Sequence, residues 1–279
     1  MTSQHEKAEQ FLKLHEQGGA LLLPNAWDVA SARLFEEAGF PAIASTSAGV
    51  AFAHGYGDGQ QIGRDEMLAI IARMVAAVRV PVTADIEAGY GPTPDDVATT
   101  IRGVIEAGAV GVNLEDNNGG GQPLYTVEAQ VARIAAARAA ANQAGVLLVI
   151  NARTDTFLFQ IGAAETRLDE TLRRAKAYLE AGADSIFVPG VIDAATIEAL
   201  VRQIPAPLNI MAGPGAPAAP ELFRLGVRRV SVGAAAMLAT MGLVRDIARE
   251  LRQSGTYEQM AQHPYSFGDG STLFARESP

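Results

Sequence analysis

Val80-Pro-Val-Thr83-Ala-Asp85-Ile-Glu87-Ala-Gly89-Tyr90-Gly91 is a short apolar run that ends in two carboxylates one residue apart, followed by glycines. In a strand, side chains two apart share a face, so Asp85 and Glu87 are expected to project together above the strand end, an arrangement that suits a hard cation. The same grammar recurs in Val110-Gly-Val-Asn113-Leu-Glu115-Asp116 and in Val146-Leu-Leu-Val-Ile-Asn151-Ala-Arg153-Thr-Asp155. Apolar runs that terminate in residues too polar for a core are what parallel barrels carry where they keep their chemistry. Together the three stretches predict one site built from several strands.

Working outward, candidate strands fall at Ala20–Pro24, Ala42–Thr46, Val80–Asp85, Val110–Glu115, Val146–Asn151, Ser185–Pro189, Pro207–Met211 and Arg228–Gly233, with helix-like sequence between them. Glycine at helix ends marks the boundaries, in Ala38-Gly39, Ala107-Gly108, Ala181-Gly182 and Leu225-Gly226. The expected fold is α/β: an eight-stranded parallel (β/α)8 TIM-type barrel, to which a length of 279 residues is ordinary. Residues 1–279 read as a single domain, with the barrel to about residue 242 and a C-terminal helical extension over about 243–279. Helices are expected there at Leu243–Ser254 and Tyr257–Gln262, of a kind that packs on a neighbouring subunit.

Composition narrows the function. With 48% apolar and 19% charged residues, the chain has material for a large core. A formal charge of -9, with Lys and Arg scattered, disfavours nucleic acid and anionic membrane as partners and favours a small molecule. The absence of cysteine excludes disulfides, thiolate metal sites and a cysteine nucleophile. The polar start and the lack of any run near ~20 apolar residues predict a cytoplasmic protein. The three lysines, Lys7, Lys13 and Lys176, all lie in polar or charged helical stretches, which argues against Schiff-base chemistry.

The chain resembles the isocitrate lyase and phosphoenolpyruvate mutase superfamily over nearly its whole length. The resemblance runs through Pro24-Asn-Ala-Trp-Asp28, Thr46-Ser47-Ala48-Gly-Val-Ala51, Gly55-Tyr-Gly-Asp58, Asp85-Ile-Glu87-Ala-Gly-Tyr-Gly91, Asn113-Leu-Glu115-Asp116, Asn151-Ala-Arg153-Thr-Asp155 and Leu208-Asn209-Ile210. It implies a barrel that binds Mg2+, with Mn2+ as the alternative ion, and makes or breaks a bond beside a 2-oxo acid through an enolate-like intermediate. It also implies a homo-oligomer, a tetramer or dimer. By the same resemblance Asp85 is the direct metal ligand, and Asp58, Glu87 and Glu115 hold the metal's waters. Arg153 binds the substrate carboxylate or oxo group, backbone amides of Thr46, Ser47 and Ala48 form the substrate-carboxylate loop, and Asn209 faces the distal part of the substrate.

One departure matters most. Where isocitrate and methylisocitrate lyases carry a Lys-Lys/Arg-Cys-Gly-His segment, this chain reads Asp116-Asn-Asn118-Gly-Gly-Gly-Gln122-Pro-Leu-Tyr125, without the cysteine and the histidine. Tyr125 is then the ionisable candidate on a glycine-rich lid, beside Arg153 and Glu115 as catalytic groups. A second departure, Val188-Pro-Gly190, has no charged or imidazole group. The favoured reading is a Mg2+-dependent carbon-carbon lyase or decarboxylase acting on a small 2-oxo or 2-hydroxy acid. Phosphorus-carbon chemistry of the mutase or phosphonopyruvate hydrolase type, and binding of a 2-oxo acid without turnover, are the alternatives.

Plain structural readings stand beside these roles. Asp85 and Glu87 could be caps or ion-pair partners, Asp116 a brace for the following loop, Arg153 a partner of Asp155, and Asp58 a local hydrogen-bonding residue in its turn. His5, His15, His54 and His263 show no metal-binding spacing, with His54 notable for bordering the Asp58 turn. Gly213-Pro-Gly215 reads as a tight turn without a ligand.

Overall fold

Nine short strands run parallel in one sheet: β1 (Leu21–Leu23), β2 (Asn25–Ala26), β3 (Ile43–Ser45), β4 (Val82–Asp85), β5 (Gly111–Glu115), β6 (Val149–Arg153), β7 (Ser185–Phe187), β8 (Leu208–Met211) and β9 (Arg229–Ser231). Their order is β1-β9-β8-β7-β6-β5-β4-β3-β2, so the two ends of the sheet are consecutive in the chain. They are divided at Pro24, which has no N–H to give to a ladder, although its carbonyl accepts from Ala44 N at 2.9 Å. The expected count of eight is corrected to nine because one stave is broken in two, and the barrel closes through that stave. The structure, a computed structural model, describes residues 3–16, 20–118 and 123–275.

The helices of the barrel unit are α1 (Gln4–Glu16), α2 (Val29–Glu37), α3 (Ser47–Ala53), α4 (Arg64–Ala77), α5 (Pro94–Glu106), α6 (Val127–Gln143), α7 (Ala164–Glu180), α8 (Ala194–Gln203) and α9 (Ala219–Arg224). Side chains of Asp28, Thr46, Thr93, Thr126 and Asp193 cap five of them, satisfying free N–H groups in the first turn. The predicted helix stops Gly39, Gly108, Gly182 and Gly226 adopt φ of +86°, +85°, +108° and +98°, where a side chain is disfavoured.

Strand alternation sorts the core into two layers. Outward residues such as Val82, Ala84, Val112, Leu114, Ile150, Ile186 and Val230 pack beneath the helices. Inward residues Leu21, Leu23, Ala44 and Val149 gather with Val110, just ahead of β5, and with Ala8 and Phe11 of α1, which fills one end of the barrel. The inward positions nearer the other end are polar, and the candidate site is built there.

Residues 1–233 form one compact unit and 234–279 a second. The second unit comprises α10 (Ala235–Gln253), α11 (Glu258–Gln262) and α12 (Phe267–Leu273). The long helix begins at Ala235 rather than at the expected Leu243, and α12 occupies a tail that composition alone marks only as polar. A reciprocal Ser266–Asp269 capping box starts it.

Candidate active site

Asp85 ends β4, almost fully buried at 8% exposure. Its Oδ2 accepts from the Ser47 amide at 3.0 Å and the Ser47 hydroxyl at 2.9 Å, and its amide donates to Ser45 Oγ at 2.8 Å. Both β3 and the first turn of α3 therefore fix its orientation. Asp85 Oδ1 is buried without a hydrogen-bond partner among the described residues. A buried ionised oxygen left unpaired is costly, and an approaching cation is the partner that would relieve it.

Glu87 does not continue the strand, which corrects the expectation that Asp85 and Glu87 share a strand face. β4 stops at Asp85 and Glu87 takes a left-handed φ of +49°. Gln60 and Tyr90, at φ +60° and +57°, are left-handed as well. The three interlock: the Gln60 amide donates to Glu87 Oε2, the Tyr90 amide donates to Gln60 Oε1 at 2.6 Å, and the Tyr90 hydroxyl lies 3.5 Å from Glu87 Oε1. This ties the turn that carries Asp58 to the residues following β4. Burial, then the nearby Asp85 carboxylate, push the Glu87 carboxyl up to about 7, with the Gln60 amide opposing. Desolvation also raises Asp58, with Asp85 adding to it and Arg153 opposing, although Asp58 itself lies on an exposed turn.

Arg153 ends β6 opposite Glu115, which ends β5. Its Nη1 is 2.7 Å from Glu115 Oε2 and its Nε 2.7 Å from Asp155 Oδ1, so one guanidinium holds two carboxylates in a fork. Burial works against its charge, but Glu115, Asp155 and Asp85 outweigh that and hold it firmly protonated. Burial, reinforced by Asp155, Asp85 and Glu87, raises the Glu115 carboxyl well above the carboxylate range while Arg153 opposes.

Asp116 is a brace. Its Oδ1 accepts from the Asp155 amide at 2.9 Å, and its Oδ2 from Arg174 Nη1 at 3.1 Å and Tyr178 Oη at 2.8 Å. Tyr125 re-enters at the same point: its amide donates to the Asp116 carbonyl at 2.8 Å and its carbonyl accepts from Arg174 at 2.9 Å. The Tyr125 ring lies 4.2 Å from the Arg133 guanidinium carbon. The stem of the glycine-rich segment is thus pinned, while residues 119–122 lie outside the described part of the chain.

Below the acids is a polar ladder inside the barrel. Asn151 Nδ2 donates to Asn113 Oδ1 at 2.8 Å and to Asn209 Oδ1 at 3.4 Å, Ser185 Oγ donates to Asn151 Oδ1 at 2.7 Å, and Asn209 Nδ2 donates to Ser231 Oγ at 3.0 Å. Arg229, fully buried, donates to Asn113 Oδ1 at 3.0 Å and faces His15 Nε2 at 3.4 Å. Because His15 Nδ1 sits 2.8 Å from the Phe11 carbonyl, its Nε2 is the acceptor. Burial, then Arg229, lower His15 to about 4, and burial brings Arg229 down to about 9 against the pull of Asp85.

The structure therefore gathers Asp85, Glu87, Glu115 and Arg153 at one end of the barrel. Ser47 is engaged by Asp85 through both its donors, Thr46 accepts from Gly49 N at 3.4 Å as a helix cap, and Ala48 follows in that turn. Asn209 is wholly buried, its amide joined to Asn151 and Ser231. His54 is exposed, with Nδ1 on the Val50 carbonyl at 2.9 Å. Lys176 is exposed and within 4.0 Å of Glu180. Sequence reasoning did not pick out Arg229, His15, Gln60 or Tyr90. Arg229 had a signal, a charged residue opening a candidate strand, whereas His15 meets it across 214 positions.

Among the described residues, no three acidic or imidazole side chains close into a cage for an ion. The donors present are oxygens from separate elements around one unpaired Asp85 oxygen. That set fits Mg2+, which keeps several waters and takes few direct carboxylates.

A parallel barrel with a carboxylate cluster and an arginine at its strand ends defines a class of α/β barrel proteins. Within that class the chain belongs to the phosphoenolpyruvate phosphomutase family, whose model matches residues 11–252. A protein of Burkholderia cenocepacia provisionally assigned as a lyase/mutase is 42% identical, with a TM-score of 0.91 over 98% of this chain and 97% of that one. An uncharacterized protein of Mycobacterium tuberculosis is 38% identical over 80% of this chain and 81% of its own. The 2-methylisocitrate lyase of Bacillus subtilis is 31% identical over 74% and 67%. A phosphonopyruvate hydrolase solved with oxalate and Mg++ is 26% identical, with a TM-score of 0.84 over 96% and 94%.

Proposed function

We propose that the protein is a Mg2+-dependent carbon-carbon lyase or decarboxylase that acts on a small 2-oxo or 2-hydroxy acid through an enolate-like intermediate. The observation that carries this reading is the buried, unpartnered Asp85 Oδ1 at the centre of Glu87, Glu115 and Asp58. Asp85 would be the direct ligand of the ion, and Asp58, Glu87 and Glu115 would orient its waters. Bound there, Mg2+, or Mn2+ in its place, would supply a Lewis acid for charge developing on the substrate's oxo oxygen.

The chain's own groups do the rest. Arg153, held flat between Glu115 and Asp155, presents donors to a carboxylate or oxo oxygen. The backbone amide of Ala48 at the start of α3 would be the second carboxylate contact, the Ser47 amide being engaged by Asp85 and the Thr46 amide by the Ala26 carbonyl at 3.0 Å. With a 2-oxo acid the C3–C4 bond breaks and its electron pair forms C2=C3 while the oxo oxygen takes the negative charge. C4 leaves as carbon dioxide when it is a carboxylate, or as a carbonyl compound once a base takes its hydroxyl proton. With a 2-hydroxy acid a base takes the C2 hydroxyl proton, C2 becomes the carbonyl of the 2-oxo product as C2–C3 breaks, and the electron pair is left as an enolate on the other fragment. The carbon is then protonated. The Tyr90 phenol, whose pKa burial and Glu87 raise, keeps its proton and stands beside Glu87 as a donor, with Tyr125 on the stem of the lid as the other phenol.

Two further points belong to the same reading: no helix among the described residues is long and apolar enough to cross a membrane, and a cytoplasmic homo-oligomer, a tetramer or dimer, is proposed. The phosphonopyruvate hydrolase likeness favours phosphorus-carbon chemistry as the second reading, but residues 116–132 contain no lysine or arginine for a phosphoryl group. Incubating the protein with Mg2+ and a panel of 2-oxo, 2-hydroxy and phosphono acids, and following product masses, decides between them. Carbon-carbon cleavage products lost on chelation are expected; release of phosphate instead would give the second reading, and saturable binding without any product would make the protein a binder.

A further inference from the structure

The wall of the barrel mouth opposite the acids is apolar. On β7 and β8, Ser185 and Asn209 face inward into the polar ladder, so Phe187 and Met211, two residues further along, face the same way at the strand ends. Phe187 is 4% exposed but belongs to neither hydrophobic core, and its ring lies 5.7 Å from the Arg153 guanidinium carbon. Met211 is half-buried against Gly233, where a Cβ would stand 2.8 Å from its sulfur. Above them Leu158 and Ile192 are 36% and 56% exposed. Gly190 brings their two loops together, because a Cβ there would sit 2.8 Å from Leu158 Cα.

Charge at this end of the barrel is equally one-sided. Between the strand ends and the helices that directly follow them the chain has no lysine, arginine or histidine. His54 follows α3, Arg64 at the start of α4 donates to the Tyr90 carbonyl at 2.7 Å, and Arg167 of α7 lies over the Phe157 ring and donates to the Ile161 and Gly162 carbonyls. Arg153 sits at the end of β6 with its charge already shared by two carboxylates, and Arg229 lies buried beneath. One carboxylate with its oxo group can be met near Asp85 and Arg153; a second carboxylate that stays charged would face Phe187 and Met211, where desolvation is uncompensated.

We propose that Phe187 and Met211 set specificity for 2-oxo acids whose retained chain beyond C2 is alkyl, against those that retain a second carboxylate. The proposal rests on the reading of Asp85 as the centre of a Mg2+-assisted 2-oxo acid site. A carboxylate lost as carbon dioxide is compatible with this wall, since it becomes neutral there.

The test is calorimetric titration, with Mg2+ present, of oxalate, 3-methyl-2-oxobutanoate and 2-oxoglutarate, each Kd taken relative to that of oxalate in the same protein. The alkyl acid is expected to bind about 10-fold more tightly than 2-oxoglutarate. Met211→Lys should reverse that order, and Phe187→Ala should remove most of the alkyl preference, so either variant alone keeps the test decisive. Equal or tighter binding of 2-oxoglutarate by the unaltered protein, or an order unchanged in the variants while oxalate still binds, overturns the proposal. Failure of oxalate to bind the unaltered protein overturns the Asp85 reading itself, and the wall's role falls with it.

Discussion

Asp85 carries the account at the scale of single residues. With Oδ2 tied to Ser47 and Oδ1 unpaired, Asp85→Asn is expected to abolish the rise in melting temperature on adding Mg2+; an unchanged rise would remove Asp85 from the ion site. Glu87 adds a pH dependence whose sign is fixed by its shift. Its carboxyl titrates near 7 when folded against 4.5 ordinarily, so its contribution to stability is full below pH 4.5 and lost as pH rises through 7. A cation restores it, so the Mg2+-induced stabilisation should grow from pH 5.5 to pH 8 and be flatter in Glu87→Gln; thermal melts with and without Mg2+ read this directly.

The same scale shows what was legible. Asp85, Glu115 and Arg153 could be read because each is a polar residue stopping an apolar run, and the structure brings them together. Of the partners that orient the acids and the arginine, Asp155 could be read as a neighbour of Arg153 two positions on, whereas Ser47 and Gln60 could not, since they meet Asp85 and Glu87 through bends in the chain. Glu87 was legible as an acid but not as a left-handed residue outside the strand, because nothing in its immediate neighbours forces φ positive.

Among elements, α1 has a role its polar sequence conceals. Ala8 and Phe11 complete the inner core, and His15 accepts from Arg229 only while neutral. His15 titrates near 4 when folded against 6.5 ordinarily, so stability is full above pH 6.5 and falls as pH drops toward 4, because the unfolded chain takes up the proton first. Urea unfolding should show the protein losing roughly 2 kcal/mol more than His15→Gln between pH 7.5 and pH 4.5; parallel pH dependence in the two would contradict this. Element types and order were readable from apolar runs and glycine stops. The split at Pro24 was readable only as a proline near a strand end, and the true start of α10 was hidden because Ala235 to Gly242 carry no capping signal.

For the whole molecule, one apolar surface remains to be matched with a partner. Within the second unit, Leu238, Met241, Val244 and Leu251 of α10 and Phe267 of α12 are exposed in the single chain, Phe267 to 92%. Apolar side chains clustered on one helix mark an association surface. Sedimentation should give a multiple of 29.2 kDa for the unaltered chain and a smaller species for Met241→Asp with Val244→Asp; a monomer in both would end the oligomer proposal.

The chemistry itself is tested most directly by running the reaction in D2O. If Asp85 and Arg153 serve an enolate, the 2-oxo acid product must take its new C3 hydrogen from solvent. Mass spectrometry should then find one deuterium at C3 of that product, formed only with Mg2+ and not by Asp85→Asn. A product without solvent deuterium, or one formed equally well after chelation, would contradict the account.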